Sequence, residues 1–472
     1  MTEKNYATSF DIIQIALYAV VDDTKPYVNL AGDMCKQFQY FEDIMWPSYA
    51  ATMVIEDSAE NVISSMPIQG FEKVVVEVDD LTENGRYTYE FRVWNISNRI
   101  NVSRRQVYTL SLLSREGLRN EGIIVNKKLS DTTSGLARKI LKDYLQVSED
   151  KMDIEPSITN MVVLPTKKSP YSVIKSFLPK TISEKISKNN LNKEDSSEQS
   201  DIKSDISDSE ASEGSGTAGY LFFQTNRGFV FKSIDSLVST DKDKFNGTSA
   251  KSSKFYWQPA KLNEPSLFRI QEIVFAQELD MIKKLREGHY SSIVCSLNIN
   301  TLTYKEQRYS LENTWNDMAH LGSQTTLPKG QKELSQYPTR IMSTILDNEL
   351  WNQDPKIASV ESGGDGSHPY QDLQLYYLSQ GLARSGILFN QQLTISITGH
   401  LELCAGDKIE IRIPDQSAEV AKETAYDQEH SGTYLIKQVN HQFNMGDSRT
   451  LYTVLDLVRD SQGIKDQETK VK

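Results

Sequence analysis

The chain is poor in the residues that staple small folds or arm catalytic ones. Of 472 residues only three are cysteine, Cys35, Cys295 and Cys404, far apart and odd in number. No CxxC pair occurs, so neither a zinc ribbon nor a disulfide framework is indicated, and buried reduced thiols are expected. Histidine is scarce too. His289, His320, His368, His400, His430 and His441 form neither HExxH nor the paired spacing of a zinc finger. A Gly-x-Ser-x-Gly elbow is absent, and the glycine-rich stretch 362–367, "SGGDGS", lacks the Lys-Ser/Thr of a phosphate loop. One cluster has ligand chemistry: extended backbone would put His400, Glu402 and Cys404 on one strand face, with no fourth ligand identified. A solvated turn histidine is the expectation at His400. Neighbouring acids such as Asp22-Asp23 and Asp79-Asp80 are too common here to mark a glycosidase pair. The reading is of no enzyme, with no catalytic residue, no metal and no cofactor.

Long hydrophobic runs are missing as well. The first apolar run, 12–21, is shorter than the roughly 20 residues that span a bilayer. Asp11 precedes it and no small-residue cleavage site follows, so a first buried strand or short helix is expected there, with no signal and no membrane insertion. Positive charge is in deficit: 52 Lys and Arg against 64 Asp and Glu leave a net charge of −12. An acidic chain is a poor default binder of nucleic acid.

The length suggests about two to four domains. The tract 188–216, "KNNLNKEDSSEQSDIKSDISDSEASEGSG", holds almost no apolar residues and is rich in Ser, Asp and Glu. It is too polar to offset the entropy of chain ordering, so a disordered loop is expected. Before it, "KVVVEV" puts Val74, Val76 and Val78 on one face, and "RYTYEFRVW" does the same with Tyr87, Tyr89, Phe91 and Val93. A period of two marks half-buried antiparallel strands, here around an "ENG" turn. The period then changes. "TSGLARKILKDYL" sets Leu136, Ile140, Leu141 and Leu145 on a helical stripe capped by Thr133 or Ser134, and "SPYSVIKSFL" starts a helix at Pro170. "GYLFFQTNRGFVFKS" predicts a buried hairpin turning at Asn226 to Gly228. Helices are also expected near 278–286, ended by Gly288, and over "LENTWNDMAHLG", ended by Gly322. "KFYWQP", 254–259, could be core or a partner-binding loop. "LTISITG", "KIEIRIP", "GTYLIKQVNHQF" and "TLYTVLDLV" return the tail to strands.

Three strand texts occur twice in the same order. "EKVVVEV" (72–78) matches "DKIEIRI" (407–413), "GRYTYEF" from Gly85 matches "GTYLIKQ" from Gly432, and "RQVYTLSLLSRE" (105–116) matches "RTLYTVLDLVRD" (449–460). The series reads as an internal duplication of a β unit. Two equivalent β units per chain, in a trimer, would present six around one axis, a natural adapter between threefold and sixfold partners.

With these residues in view, the chain resembles the central baseplate hub protein of contractile-tailed, T-even-type bacteriophages, related in outline to the hub region of type VI secretion spikes. The resemblance rests on "VIEDSAENVISSMPIQGFEKVVVEV" and "RRQVYTLSLLSREGLRNE" at the first barrel. In the middle it rests on "ILKDYL", "VVLPTKKSPYSVIKSFL" and "AGYLFFQTNRGFVFKSIDSL". At the last barrel it rests on "GHLELCAGDKIEIRIPD" and "TLYTVLDLVRDSQG". It implies a β-dominated α+β fold: two tube-protein-like antiparallel β-barrels flanking a mixed helical and hairpin middle region. The expected divisions are 1–125 first barrel, 126–187 helical insertion, 188–217 acidic loop, 218–385 mixed middle domain, 386–465 second barrel and 466–472 tail. The resemblance further implies a homotrimeric, pseudo-sixfold structural ring in the virion tail baseplate, assembled in the host cytoplasm. Its implied partners are the central spike, the tail tube and the inner baseplate proteins, with the tape measure protein as a further candidate and DNA only passing through. Tyr108, Arg115, Tyr452 and Arg459, from the doubled strand, are the candidate interface residues. A receptor- or carbohydrate-binding tail adhesin is the competing reading, since β-barrels with aromatic loops also serve that purpose.

Overall fold

Strand texts of period two become one long sheet in the computed structural model. It describes residues 10–20, 24–32, 34–58, 68–79, 85–102, 105–184, 218–239, 253–257, 268–277, 280–299, 302–315, 318–325, 331, 333–346, 369–414, 426–446 and 449–464. The acidic loop at 188–217, residues 83–84 of the "ENG" turn, the "SGGDGS" stretch and the tail 466–472 lie outside these residues.

Seven strands come first: β1 (Asp11–Tyr18), β2 (Pro26–Asn29), β3 (Cys35–Asp43), β4 (Ala50–Asp57), β5 (Lys73–Asp79), β6 (Arg86–Val102) and β7 (Arg105–Leu113). The run from Asp11 is thus a strand, and it pairs with β5. The spatial order β3-β4-β7-β6-β5-β1-β2 wraps a core of Phe38, Tyr40, Met53, Val76, Phe91 and Leu110.

The middle of the chain supplies β8 (Leu129–Thr132), β9 (Met152–Ile154), β10 (Asn160–Val163), β11 (Tyr220–Thr225) and β12 (Gly228–Ser233). The expected helices stand at Thr133–Asp143 and Pro170–Phe177. Pro170 occupies the first helical turn as read, whereas the cap of the other helix is Thr132, one residue earlier, whose hydroxyl accepts from the Gly135 amide. Both helices bury their apolar stripe against the hairpin β11–β12, whose first strand is buried throughout, with Tyr171, Phe222 and Phe229 in ring contact. Met281–Glu287 ends at Gly288 with φ of 72°, as its position predicts. The "LENT" helix is shorter than expected, covering only Leu311–Thr314.

Next come β13 (Ser253–Trp257), β14 (Arg269–Gln277), β15 (Ser291–Asn298), β16 (Thr303–Ser310) and β17 (Arg340–Leu346). They are followed by β18 (Gln391–Thr398), β19 (Lys408–Arg412), β20 (Gly432–Asn444) and β21 (Thr450–Arg459). A 20-residue helix, Pro369–Leu388, precedes β18.

The tail strands close a six-stranded barrel in the order β13-β14-β18-β21-β20-β19, with β19 pairing back to β13. Two of its staves, β13 and β14, come from inside the 218–385 segment. Phe255 of "KFYWQP" is accordingly barrel core, with Tyr256 and Trp257 half-buried. The first sheet, unlike the second, does not close among the described residues. Its margin β3 pairs instead with β20, giving a single 13-stranded sheet. Phe443 and Leu451 of the second unit enter the first core, and Phe443 packs 5.4 Å from Phe38 and 5.3 Å from Phe10. Overall the chain is β-dominated α+β.

Candidate assembly interface

The doubled texts fall on equivalent strands. In the first unit β4, β5, β6 and β7 lie in the order β4-β7-β6-β5; in the second, β18, β19, β20 and β21 lie in the order β18-β21-β20-β19. Val74, Val76 and Val78 point into one core as Ile409, Ile411 and Ile413 point into the other. The third pair behaves differently. In β7 the inward residues are Tyr108, Leu110 and Leu112, while in β21 they are Leu451, Thr453, Leu455 and Leu457. Matching Tyr108 to Tyr452 is therefore out of phase by one residue, and a one-residue slip turns a side chain to the opposite face.

The four candidate interface residues divide accordingly. Tyr108 is fully buried, its phenol raised above its ordinary range by burial and then by Asp57 nearby. Arg459 is also fully buried: it donates to the carbonyls of Ser431 (3.0 Å) and Gly463 and lies over the Tyr434 ring, with Gly432 packed against its guanidinium. Neither has surface to offer a partner. Arg115 is exposed at the first residue of the helix Arg115–Gly122, which Ser114 caps, and Tyr452 lies on the outer face of β21. Arg459→Ala should therefore lower stability by about 1–3 kcal/mol through orphaned buried carbonyls. Arg115→Ala should change it by less than about 0.5 kcal/mol. Urea unfolding of the two variants checks this.

Tyr452 belongs to a row that crosses both units. It faces Gln442 on β20, which faces Gln39 on β3, then Thr52 on β4, Ser111 on β7 and Asn95 on β6. All six are polar and none is charged. The joint between the units is pinned from behind by Glu42 of β3. Its carboxylate accepts from Tyr40 Oη (2.5 Å), the Asn226 amide of the β11–β12 turn (2.6 Å) and the Ala405 amide before β19 (2.8 Å). Beside it Arg227 forms a two-pronged pair with Asp407 at 2.8 and 2.9 Å.

The ligand-type cluster does not assemble. His400 to Cys404 is a turn, Glu402 is exposed, and His400 is buried with its ring 5.3 Å from Phe255, not solvated. Among the described residues no group of His, Cys, Asp and Glu could hold a metal, and no helix is long and apolar enough to cross a membrane. Cys35 and Cys404 are buried free thiols and Cys295 is half-buried; burial pushes the Cys35 thiol up to about 12. Sequence reasoning missed Glu42 and the row through β3 and β4. Glu42 sits between Phe41 and Asp43 with no periodic signal of its own.

No protein-family model matches the chain, and no curated protein matches it in sequence. Solved structures do. The tail protein of Neisseria meningitidis MC58 superposes with a TM-score of 0.50 at 10% identity, covering 96% of this chain and 97% of that one. The two share a fold. The prophage MuSo2 43 kDa tail protein of Shewanella oneidensis superposes equally, with a TM-score of 0.50 at 8% identity, covering 96% of this chain and 100% of that one. In this tail-protein fold the row from Tyr452 to Asn95 runs along the outer face of the continuous sheet.

Proposed function

We propose that the chain is the structural hub of a contractile phage tail baseplate, a homotrimeric ring with pseudo-sixfold symmetry. On this reading it joins a trimeric central spike to a hexameric tail tube and templates the first tube ring. The observation that carries the proposal is the repeated strand order of two units fused edge to edge through β3 and β20. Three chains then supply six such units, which is what a threefold-to-sixfold adapter requires. The tail-protein fold supports the same placement in the virion, and supports a role without turnover.

The uncharged polar row gives this ring a surface with a use. A wall of Gln, Thr, Ser, Asn and Tyr offers no cation to retain a phosphate backbone, so DNA could pass along it without counterion-driven binding. Of the four candidate residues, Tyr452 and Arg115 remain for contacts between chains or with the tube, spike, inner baseplate and tape measure proteins. Light scattering followed by negative-stain imaging tests the ring: about three chains with a six-lobed outline is the expected result. A particle that stays monomeric, alone and with its trimeric spike, overturns it.

A further inference from the structure

A cleft beside the first unit gathers apolar and cationic side chains. Its walls are Val20, Phe71, Leu118 and three arginines, Arg92, Arg115 and Arg119. Phe71 is 60% exposed and sits at φ of 72°, a conformation that a bulky side chain adopts only when its surroundings impose it. The surroundings are explicit. The buried Glu72 carboxylate accepts from the amides of Gln69 (2.6 Å) and Gly70 (2.9 Å), and the Phe71 amide donates to the Val93 carbonyl at 2.8 Å. The loop thus holds an aromatic ring out at the cleft. Arg119 is fixed by the Tyr144 carbonyl (3.1 Å) and Gln146 (2.6 Å), and Arg92 reaches the Phe71 carbonyl (3.4 Å) and Glu90 (3.8 Å). Glu116 is turned toward Gln224. Apolar walls under a cationic rim suit a segment that alternates acids with aliphatics.

The chain carries one. Residues 188–216 contain eight acids against three lysines, and within them Ser-Asp-Ile occurs twice, at 200–202 and 204–206. The anchors are near. Asn120, next to Arg119, accepts from the Tyr171 amide at 2.8 Å; the helix from Pro170 leads to the Ile182–Ala218 bridge, where both ends of the tract depart. That path from Tyr171 is about 20 Å, while the 17 residues from Ser183 to Ser200 reach up to about 55 Å. We propose that the cleft is the docking site of the chain's own acidic tract, with Ile202 and Ile206 against Phe71 and Leu118 and with Asp201 and Asp205 at the arginines. The proposal is independent of the ring.

Hydrogen exchange of the full chain, and of a chain whose residues 188–216 are replaced by a Gly/Ser linker of equal length, tests it. Amides at 69–72 and 115–119 should exchange about tenfold faster in the replaced chain, a factor worth one decade in occupancy. A peptide of residues 198–208 should restore their protection. The same peptide with Ile202→Ser and Ile206→Ser should bind about tenfold more weakly, as should the replaced chain carrying Phe71→Ala and Arg115→Glu. Equal exchange in the two chains overturns the proposal. So does peptide binding as tight to the intact chain as to the replaced one, which would leave the cleft to a separate partner. Protection that vanishes on dilution assigns the tract to a neighbouring copy and overturns docking within one chain.

Discussion

Arg384→Ala is expected to remove about 3–5 kcal/mol of stability, because it strands two buried carboxylates. Arg384 is a fully buried residue of the helix Pro369–Leu388. Its guanidinium meets Asp235 at 3.1 Å, Asp460 at 2.6 Å and the Ala319 carbonyl. Asp460 is itself fully buried at the end of β21, where it also accepts from the Leu321 amide and from Ser461 and faces His320 Nδ1 at 3.0 Å. This cluster ties the long helix, the helix Ile234–Val238, the segment 318–322 and the last barrel strand together. Burial alone would raise the Asp460 carboxyl, but the Arg384 guanidinium and then His320 hold it well below the carboxylate range. A depressed carboxyl contributes stability that is complete above its unfolded pKa, near 4, and is lost as pH falls toward its folded value. The gap between wild type and Arg384→Ala in urea should therefore be largest at pH 8, where both carboxylates are charged, and shrink as pH falls below about 4. Adding Asp235→Asn and Asp460→Asn to Arg384→Met should recover part of the loss, since the charges then leave together. A loss under about 1 kcal/mol, the usual net worth of one hydrogen bond, would sink this account.

The second large effect is at the three-way joint. Burial raises Glu42 to about 7, against hydrogen bonds from Tyr40, Asn226 and Ala405 and the charge of Arg227, all of which pull it down. Because the folded value lies above the unfolded one, this group's contribution is complete below pH 4.5 and is lost as pH rises through about 7. A shift of this size corresponds to about 3 kcal/mol between those limits. Glu42→Gln removes the titration and places an amide donor against the Tyr40 and Asn226 donors on one side or the Ala405 amide on the other. The variant should be less stable than wild type by about 1–3 kcal/mol at pH 5, and the gap should narrow by pH 8. Thermal unfolding at the two pH values reads it; a gap that widens with pH would contradict the assignment.

Elements with a regular period were legible in the sequence. The inward faces of β5 and β19, the buried β11–β12 hairpin, Pro170 at a helix start and Gly288 at a helix end all follow from local pattern. Relations between distant segments were not. Nothing in "CKQFQYFED" says that β3 will pair with a strand near residue 440, because edge pairing is decided by which strand is left open. The helix Pro369–Leu388 interleaves polar and apolar residues around its circumference and so shows no stripe to read; among its described side chains Ser379, Gln380 and Arg384 are buried along with Ala383 and Ile387. The repeated Tyr-Thr text marked the right strands, yet its phase was one residue off, since matching letters do not carry the face. Arg459, a candidate interface residue by its place in the doubled strand, is a buried donor to carbonyls, a burial that its strand-end position does not reveal.

The β3–β20 joint also has a consequence in time. β3 leaves the ribosome about 390 residues before β20, which at roughly 5–20 residues per second means about 20–80 s of synthesis. Throughout that interval β3 presents a row of unpaired amides and carbonyls, and the first core waits for Phe443. Nascent chains crowded on one message therefore share an open edge of the kind that pairs between molecules. Completion of the last strands is what ends that exposure.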